Sequence, residues 1–210
     1  MTGAVARWRA LTERTAVAEP RGRPLGWWAM ALLVASESML FAVMLTSYFY
    51  VRWNTTRELP GGWPPAPHGE EKLLFPSLLL AAILASGVTM LGALRAAQAG
   101  RARALGAALL ATLGLGGGFL ALQVLDYVER HREYTPQADA YASFVWTITG
   151  AHAAHVVGGM LLLAWVWGRA VAGAYSRERH LGVRVAAMYW QFLVILEAVI
   201  YLCLFVTPYL

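Results

Sequence analysis

The chain has 210 residues, of which 59% are hydrophobic and only 14% are charged. A soluble domain carries about 25% charged residues, so this chain has too few to cover a water-facing surface. Its apolar runs exceed the ~18 residues that cross a bilayer core, which predicts an integral membrane protein. The net charge of +5 does not indicate a nucleic-acid partner, because the basic residues lie in short segments between apolar runs, where they report membrane topology.

The first 25 residues are polar and basic and precede the first apolar run, 26–51. We expect a cytoplasmic N-terminal segment there, because the run that follows is too long for the core of a signal peptide. Four more apolar runs follow at 73–94, 104–128, 142–167 and 183–206. The sequence thus predicts an all-α protein with one transmembrane domain of five helices, residues 26–210, and an irregular connection at 53–72 that is rich in Pro and Gly.

Lysine and arginine counts predict the orientation of these helices. Five arginines precede the first span, three lie within 95–103 and four within 169–184, which places twelve on one side. The five on the other side are Arg52, Arg57, Lys72, Arg130 and Arg132. Because cytoplasmic loops carry the excess of basic residues, we expect the N-terminus inside the cell and the C-terminus outside.

Small residues in two spans predict close helix packing. Gly114 and Gly118 form a GxxxG pair in the third span, and Ala154 and Gly158 form a similar pair in the fourth. Such pairs let helix backbones approach each other where lipid supplies no hydrophobic driving force. We expect both pairs to lie at helix–helix contacts.

Four ionisable residues fall near the middle of predicted spans: Glu37, His152, His155 and Glu197. An ionisable group at the bilayer centre costs at least ~2.5 kcal/mol and points to a function. A carboxyl group at this depth is expected to be protonated or hydrogen-bonded, because its charged form is poorly solvated there. For both glutamates the sequence allows a structural interhelical hydrogen bond or a role in proton or oxygen traffic.

The two histidines are three residues apart and therefore share one side of the fourth span. Bis-histidine haem ligation needs ligands on opposite sides of the macrocycle, and the other histidines, His68, His131 and His180, fall in predicted loops. No Glu-x-x-His repeat offers a di-iron site. We expect no metal site and no cofactor held by this chain, and interhelical hydrogen bonds from both imidazoles.

Four segments, in order along the chain, carry a family resemblance. They are SESMLF at 36–41, LQVLDY at 122–127, TGAHAAHVVGG at 149–159 and AAMYWQF at 186–192. They resemble the S-E-x-x-x-F, L-Q-x-x-E-Y, T-G-x-H-x-x-H-V-x-x-G and A-A-x-Y-W-H-F signatures of cytochrome c oxidase subunit III. The five spans match the short form of that family, which lacks the first two of seven helices. Three departures stand out: Asp126 replaces Glu, Gln191 replaces His, and Arg184 stands where an acidic residue is usual.

The resemblance implies a subunit without a redox centre in a proton-pumping haem–copper terminal oxidase of aerobic respiration. It implies direct packing against subunit I, which holds the haems and copper, with subunits II and IV in the same complex. It also implies bound phospholipid, a bacterial inner membrane, and support of proton uptake, oxygen access and the stability of subunit I.

The same resemblance assigns residues. Glu37 matches the reactive buried carboxyl of the family. The full set of candidates for a proton or oxygen path is Glu37, His152, His155 and Glu197, and the candidates for structural polar contacts are Gln123, Asp126 and Gln191.

Other functions are also compatible with parts of the pattern. A quinol oxidase subunit III and an accessory subunit of a nitric oxide reductase share most of the implied features. An independent small transporter or channel belongs to another class, and it is disfavoured because five helices divide poorly into inverted repeats and no predicted span is broken. The histidine distribution disfavours a b-type cytochrome anchor.

Overall fold

The computed structural model describes residues 23–58, 63 and 73–209. Residues 1–22 of the predicted basic segment 1–25 therefore lie outside the described residues. The same is true of residues 59–72, except for Trp63. The helices are α1, Leu25–Glu58; α2, Leu74–Gln98; α3, Ala102–Glu133; α4, Ala140–Val171; and α5, Leu181–Ile200. All five are long and apolar enough to cross a membrane, which confirms the predicted all-α fold with five spans.

All five helices extend beyond the predicted apolar runs, and the largest differences are at the ends of α1 and α3. Helix α1 continues to Glu58, so residues 53–58 are helical and the irregular connection begins later than expected. Helix α3 continues to Glu133, so Arg130, His131 and Arg132 lie in its last turns and not in a loop. The predictions were wrong at these ends because hydropathy marks where lipid contact stops, whereas helical hydrogen bonds continue into the interfacial region.

The helices pack as a bundle in which α5 contacts α1, α2 and α4, and α3 contacts α2 and α4. The turn between α2 and α3 is tight: Gly100 has a φ of 68°, a left-handed conformation that glycine adopts without steric cost. Next to it, the amide of Arg101 donates to the carbonyl oxygen of Ala96 at 2.9 Å. This turn makes α2 and α3 an antiparallel pair.

Trp190 lies at the centre of the contacts among α2, α3, α4 and α5 and is fully buried. Its indole nitrogen donates to Oγ of Ser86 on α2 at 3.0 Å. Gly116 on α3 and Gly159 on α4 give its ring room, since a Cβ added at either position would lie about 3 Å from it. A single aromatic side chain from α5 thus sets the spacing of the three neighbouring helices.

These close approaches do not occur at the predicted small-residue pairs. A Cβ added at Gly114, Gly118 or Gly158 would meet nothing within 4 Å, and Ala154 is exposed. The pairs therefore do not lie between helices of this chain, which corrects the packing prediction to Gly116 and Gly159. Residues two positions apart on a helix point about 200° apart, so a glycine-rich stretch does not identify which of its members faces a neighbour.

A second cluster joins α1 to the end of the chain. Helix α5 continues as a π-helix, Tyr201–Val206, and a short 3-10 helix, Thr207–Tyr209. Arg52 on α1 donates from Nη1 to Oγ1 of Thr207 at 2.6 Å and from Nη2 to its carbonyl oxygen at 2.7 Å. These bonds tie the last turns of α1 to the segment that follows α5.

Replacing Gly116 with alanine tests the role of Trp190. The new methyl would lie 2.6 Å from Sδ of Met160 and 2.9 Å from the Trp190 ring, so Gly116→Ala should destabilise the bundle by about 1–3 kcal/mol. Gly117→Ala is the matched control, because its methyl meets nothing within 4 Å. Thermal unfolding in mild detergent, followed by circular dichroism, compares the two. Equal midpoints would contradict this description of the packing.

Candidate functional site

Glu37 and His155 form a polar contact between α1 and α4. The Nε2 atom of His155 lies 2.9 Å from Oε2 of Glu37, and the two side chains are 21% and 24% exposed. Phe41, one turn after Glu37, is buried and packs edge-on against the His155 ring at 5.3 Å. The pair is thus covered on one side by protein and open on the other toward the surroundings of the bundle.

The second ring nitrogen of His155 determines its tautomer. Nδ1 lies 2.7 Å from the carbonyl oxygen of Ala151, which can only accept, so Nδ1 carries a hydrogen. Nε2 then either accepts a hydrogen bond from a protonated Glu37 or, as an imidazolium, donates to a carboxylate. Both forms have zero net charge and differ only in the position of one proton between Nε2 and Oε2.

His152 and Glu197 form a second pair, between α4 and α5, at almost complete burial. Nδ1 of His152 lies 3.1 Å from Oε2 of Glu197, with side-chain exposures of 1% and 6%. The contact is close but lacks the alignment of a hydrogen bond. Nε2 lies 3.1 Å from the carbonyl oxygen of Leu193 and therefore donates to it. Phe119 on α3 covers the ring edge-on at 5.7 Å.

The two histidines thus connect α4 to different neighbours. His155 contacts α1, whereas His152 contacts α5 and packs against α3, although they lie only three residues apart. In each pair an imidazole nitrogen faces a carboxyl oxygen at about 3 Å, and a carboxyl–imidazole pair that holds a single proton between its facing atoms has no net charge, which limits the cost of placing ionisable groups in an apolar bundle. The structure brings together all four residues that the sequence singled out, as two pairs in one bundle.

The pairs do not form a metal centre in the part of the chain that the structure describes. Over residues 23–58, 63 and 73–209, no group of three or more His, Cys, Asp or Glu side chains comes together in a way that could hold a metal ion. A carboxyl group and an imidazole that face each other as a pair can form a hydrogen bond and exchange a proton.

Comparison with known proteins adds family membership to this geometry. The family model described as cytochrome c oxidase subunit III matches residues 20–210. The chain is 31% identical over 179 residues to cytochrome c oxidase subunit 3 of Lumbricus terrestris, covering 85% of this chain and 68% of that one. It is 32% identical to the Branchiostoma lanceolatum protein of the same name, covering 84% and 67%, and 32% identical to that of Lemur catta, covering 87% and 65%.

The chain belongs to the cytochrome c oxidase subunit III family. The chain is therefore a multi-pass membrane subunit of a haem–copper oxidase complex, and the complex also contains other oxidase subunits.

Two departures from the subunit III signatures have defined contacts. Asp126, in place of Glu, accepts from Nη2 of Arg130 at 3.0 Å, and Gln123 lies 3.4 Å from the same carboxyl group. Gln191, in place of His, donates from Nε2 to the carbonyl oxygen of Gly87 on α2 at 2.8 Å. Both residues thus make polar contacts within this subunit III, one within α3 and one between α5 and α2.

Several polar contacts in the bundle were missed at the level of sequence. Trp63, in the connection after α1, is buried and donates from Nε1 to the hydroxyl of Tyr48 at 3.0 Å. Tyr127 donates to Oγ1 of Thr149 at 3.0 Å. Arg130 is buried and paired with Asp126, and its spacing of four residues on one helix was the available signal. No pattern in the sequence pointed to the other two contacts.

Substitution of Glu197 tests whether the buried pair of His152 and Glu197 requires a carboxyl group or only a hydrogen-bond donor at position 197. Glu197→Leu removes the polar partner of His152 Nδ1 and should cost about 1–3 kcal/mol. Glu197→Gln places an N–H donor opposite His152 Nδ1 and should keep most of the stability, because an amide and a neutral carboxyl group can both donate to that nitrogen. Thermal midpoints in mild detergent measure both, with Ile195→Val, at an exposed position of the same helix, as the control. A glutamine variant as unstable as the leucine variant would contradict a neutral pair.

Proposed function

We propose that this chain supports subunit I of a proton-pumping haem–copper terminal oxidase without holding a redox centre itself. In this role it packs directly against subunit I, which carries the haems and copper, and subunits II and IV belong to the same complex. The complex oxidises cytochrome c and reduces oxygen to water in the inner membrane of a bacterium. The N-terminus faces the cytoplasm, where twelve of the 17 basic residues lie.

The observation that carries this proposal is the half-buried pair of Glu37 and His155. It lies between α1 and α4, and about a quarter of each side chain remains open. A carboxyl–imidazole pair with one shared proton can take up or release that proton with little change in geometry. Such a group fits a part in supplying protons to a neighbouring catalytic subunit better than it fits electron transfer.

The fully buried pair of His152 and Glu197 supports a different part of the same role. With exposures of 1% and 6%, it has no open side toward lipid or water. It joins α4 to α5, two helices that also pack together in the cluster around Trp190, and its place is therefore to hold the bundle in the shape that presents Glu37 and His155. Stability of the assembled oxidase under turnover would depend on it.

Purification with an affinity tag on this chain tests the proposal. In mild detergent, haem and copper should copurify, and the preparation should consume oxygen with reduced cytochrome c as donor. Activity with a quinol and not with cytochrome c would favour the quinol oxidase, and nitric oxide reduction would favour the reductase. A chain that purifies alone and colourless from several gentle detergents would contradict the proposal and favour an independent transporter or channel.

A second arm of this experiment separates a supporting subunit from a catalytic one. Depleting this chain from the purified complex should leave the haem and copper spectra unchanged but shorten the active lifetime during turnover and weaken proton pumping. Loss of a haem or copper signal in proportion to the depleted chain would show that the chain holds a redox centre.

A further inference from the structure

Tyr189 on α5 is a third polar group beside Glu37 and His155. Its side chain is half-buried, and its hydroxyl donates to the main-chain oxygen of His155 at 3.4 Å. The hydroxyl also lies near enough to Glu37 for a charge on the carboxyl group to act on it electrostatically. The site that α1 and α4 form is therefore completed by a phenol from a third helix.

Tyr189 lies closer than Glu37 to the end of the bundle where α1 and α5 begin. At that end a Cβ added at Gly26 of α1 would lie 3.6 Å from the side chain of Leu181 on α5, so these two positions are level. Glu37 follows eleven residues later on α1, and Tyr189 eight residues later on α5. At a rise of about 1.5 Å per residue, Tyr189 is about 4–5 Å nearer to this end. In the proposed orientation it is the cytoplasmic end.

The open side of the pair is not itself a source of protons. Glu37 and His155 lie in the middle part of their spans, where a bundle is surrounded by hydrocarbon or by a partner helix and not by water. The hydroxyl groups of Ser36 and Ser38, on either side of Glu37, are exposed and donate to carbonyl oxygens of their own helix. Tyr189, in contrast, approaches the pair from another helix and from the direction of the cytoplasmic interface.

We propose that the Tyr189 hydroxyl conducts protons from the cytoplasmic side of the bundle to Glu37 and His155. This inference rests on the proposed role of the pair in supplying protons to subunit I. Once the pair has passed its proton on, Glu37 is a carboxylate, and the phenol O–H bond breaks as an O–H bond forms on the carboxyl oxygen. The phenol oxygen takes a proton from a hydronium ion of the interfacial water. Tyr189 thus ends the step neutral, and the pair has gained one proton.

The resting hydrogen bond of Tyr189 allows this step. At 3.4 Å the distance between its hydroxyl and the His155 main-chain oxygen exceeds the ~2.5–3.0 Å of a strong O–H···O bond, so the bond is weak. A hydrogen bond to an ionised carboxylate is about twice as strong as one between neutral groups. Loss of the proton from Glu37 therefore favours a turn of the hydroxyl from the carbonyl oxygen to the carboxylate.

Hydrogen–deuterium exchange of the pair tests this route in the complex purified through this chain. After rapid mixing with D2O, time-resolved infrared spectroscopy follows the exchangeable bands that Glu37→Gln removes. Tyr189→Phe should slow their exchange by about tenfold, less than the ~100-fold that a positioned acid–base group contributes, because water partly replaces the hydroxyl. The matched control is Tyr201→Phe, which removes a hydroxyl bonded to Ser77 at 3.0 Å further along the same segment and should leave the rate unchanged.

Incorporation of 3-fluorotyrosine at position 189 gives a second test that does not depend on the folding of Tyr189→Phe. The fluorine atom hardly changes the shape of the ring but makes the hydroxyl more acidic, so the exchange should become faster. Exchange at the unaltered rate in both altered proteins would overturn the proposal. Equal slowing by Tyr201→Phe would also overturn it, because the effect would then be a general loosening of the bundle.

Oxygen uptake, proton pumping and active lifetime of the same proteins separate this inference from the proposed function. Slow exchange in Tyr189→Phe with unaltered pumping and lifetime would support the route through Tyr189 and contradict the proton-supply role of the pair. Unaltered exchange would overturn the route through Tyr189 whatever the pumping and the lifetime show.

Discussion

The contact between Glu37 and His155 holds α1 in its place in the bundle. Only 6% of the most apolar part of α1 is buried, so this helix gains little from apolar packing against the rest of the chain. Beyond the buried side chains of Phe41 and Tyr48, its attachment includes two polar contacts, Glu37 with His155 at 2.9 Å and Arg52 with Thr207 at 2.6 Å. In lipid, where apolar surface has no preference for protein, such hydrogen bonds have a greater share in helix association.

The same contact gives the bundle its candidate function. The groups that attach α1 are a carboxyl and an imidazole, the residue types that our proposed proton-supply role requires, and they remain partly open. The fully buried pair one turn away, His152 with Glu197, is closed on all sides and joins helices that already pack through Trp190. The chain thus separates an accessible pair from an inaccessible one, although both use the same two residue types.

Much of the fold follows from the sequence. Five apolar runs predicted the five helices, and ionisable residues within them identified all four members of the two pairs. The pairing itself did not follow, because His152 and His155 share one side of a helix, and only packing decides that one contacts α5 and the other α1. The glycine prediction failed for a related reason: the sequence shows small residues, but the position of Trp190 determines that Gly116 and Gly159, and not Gly114 or Gly158, face a neighbouring helix.

A mutant cycle on the oxidase complex tests most directly whether Glu37 and His155 act as one unit. Oxygen uptake, proton release and the number of turnovers before inactivation are measured for Glu37→Gln, His155→Gln and the double variant, with haem content as the check on assembly. If the two share one proton, each single variant impairs proton release or shortens the active lifetime. The double variant is then no worse than the poorer single one, with a coupling of about 1 kcal/mol or more. Unaltered turnover, pumping and lifetime in all three variants, or strictly additive losses, would contradict the account.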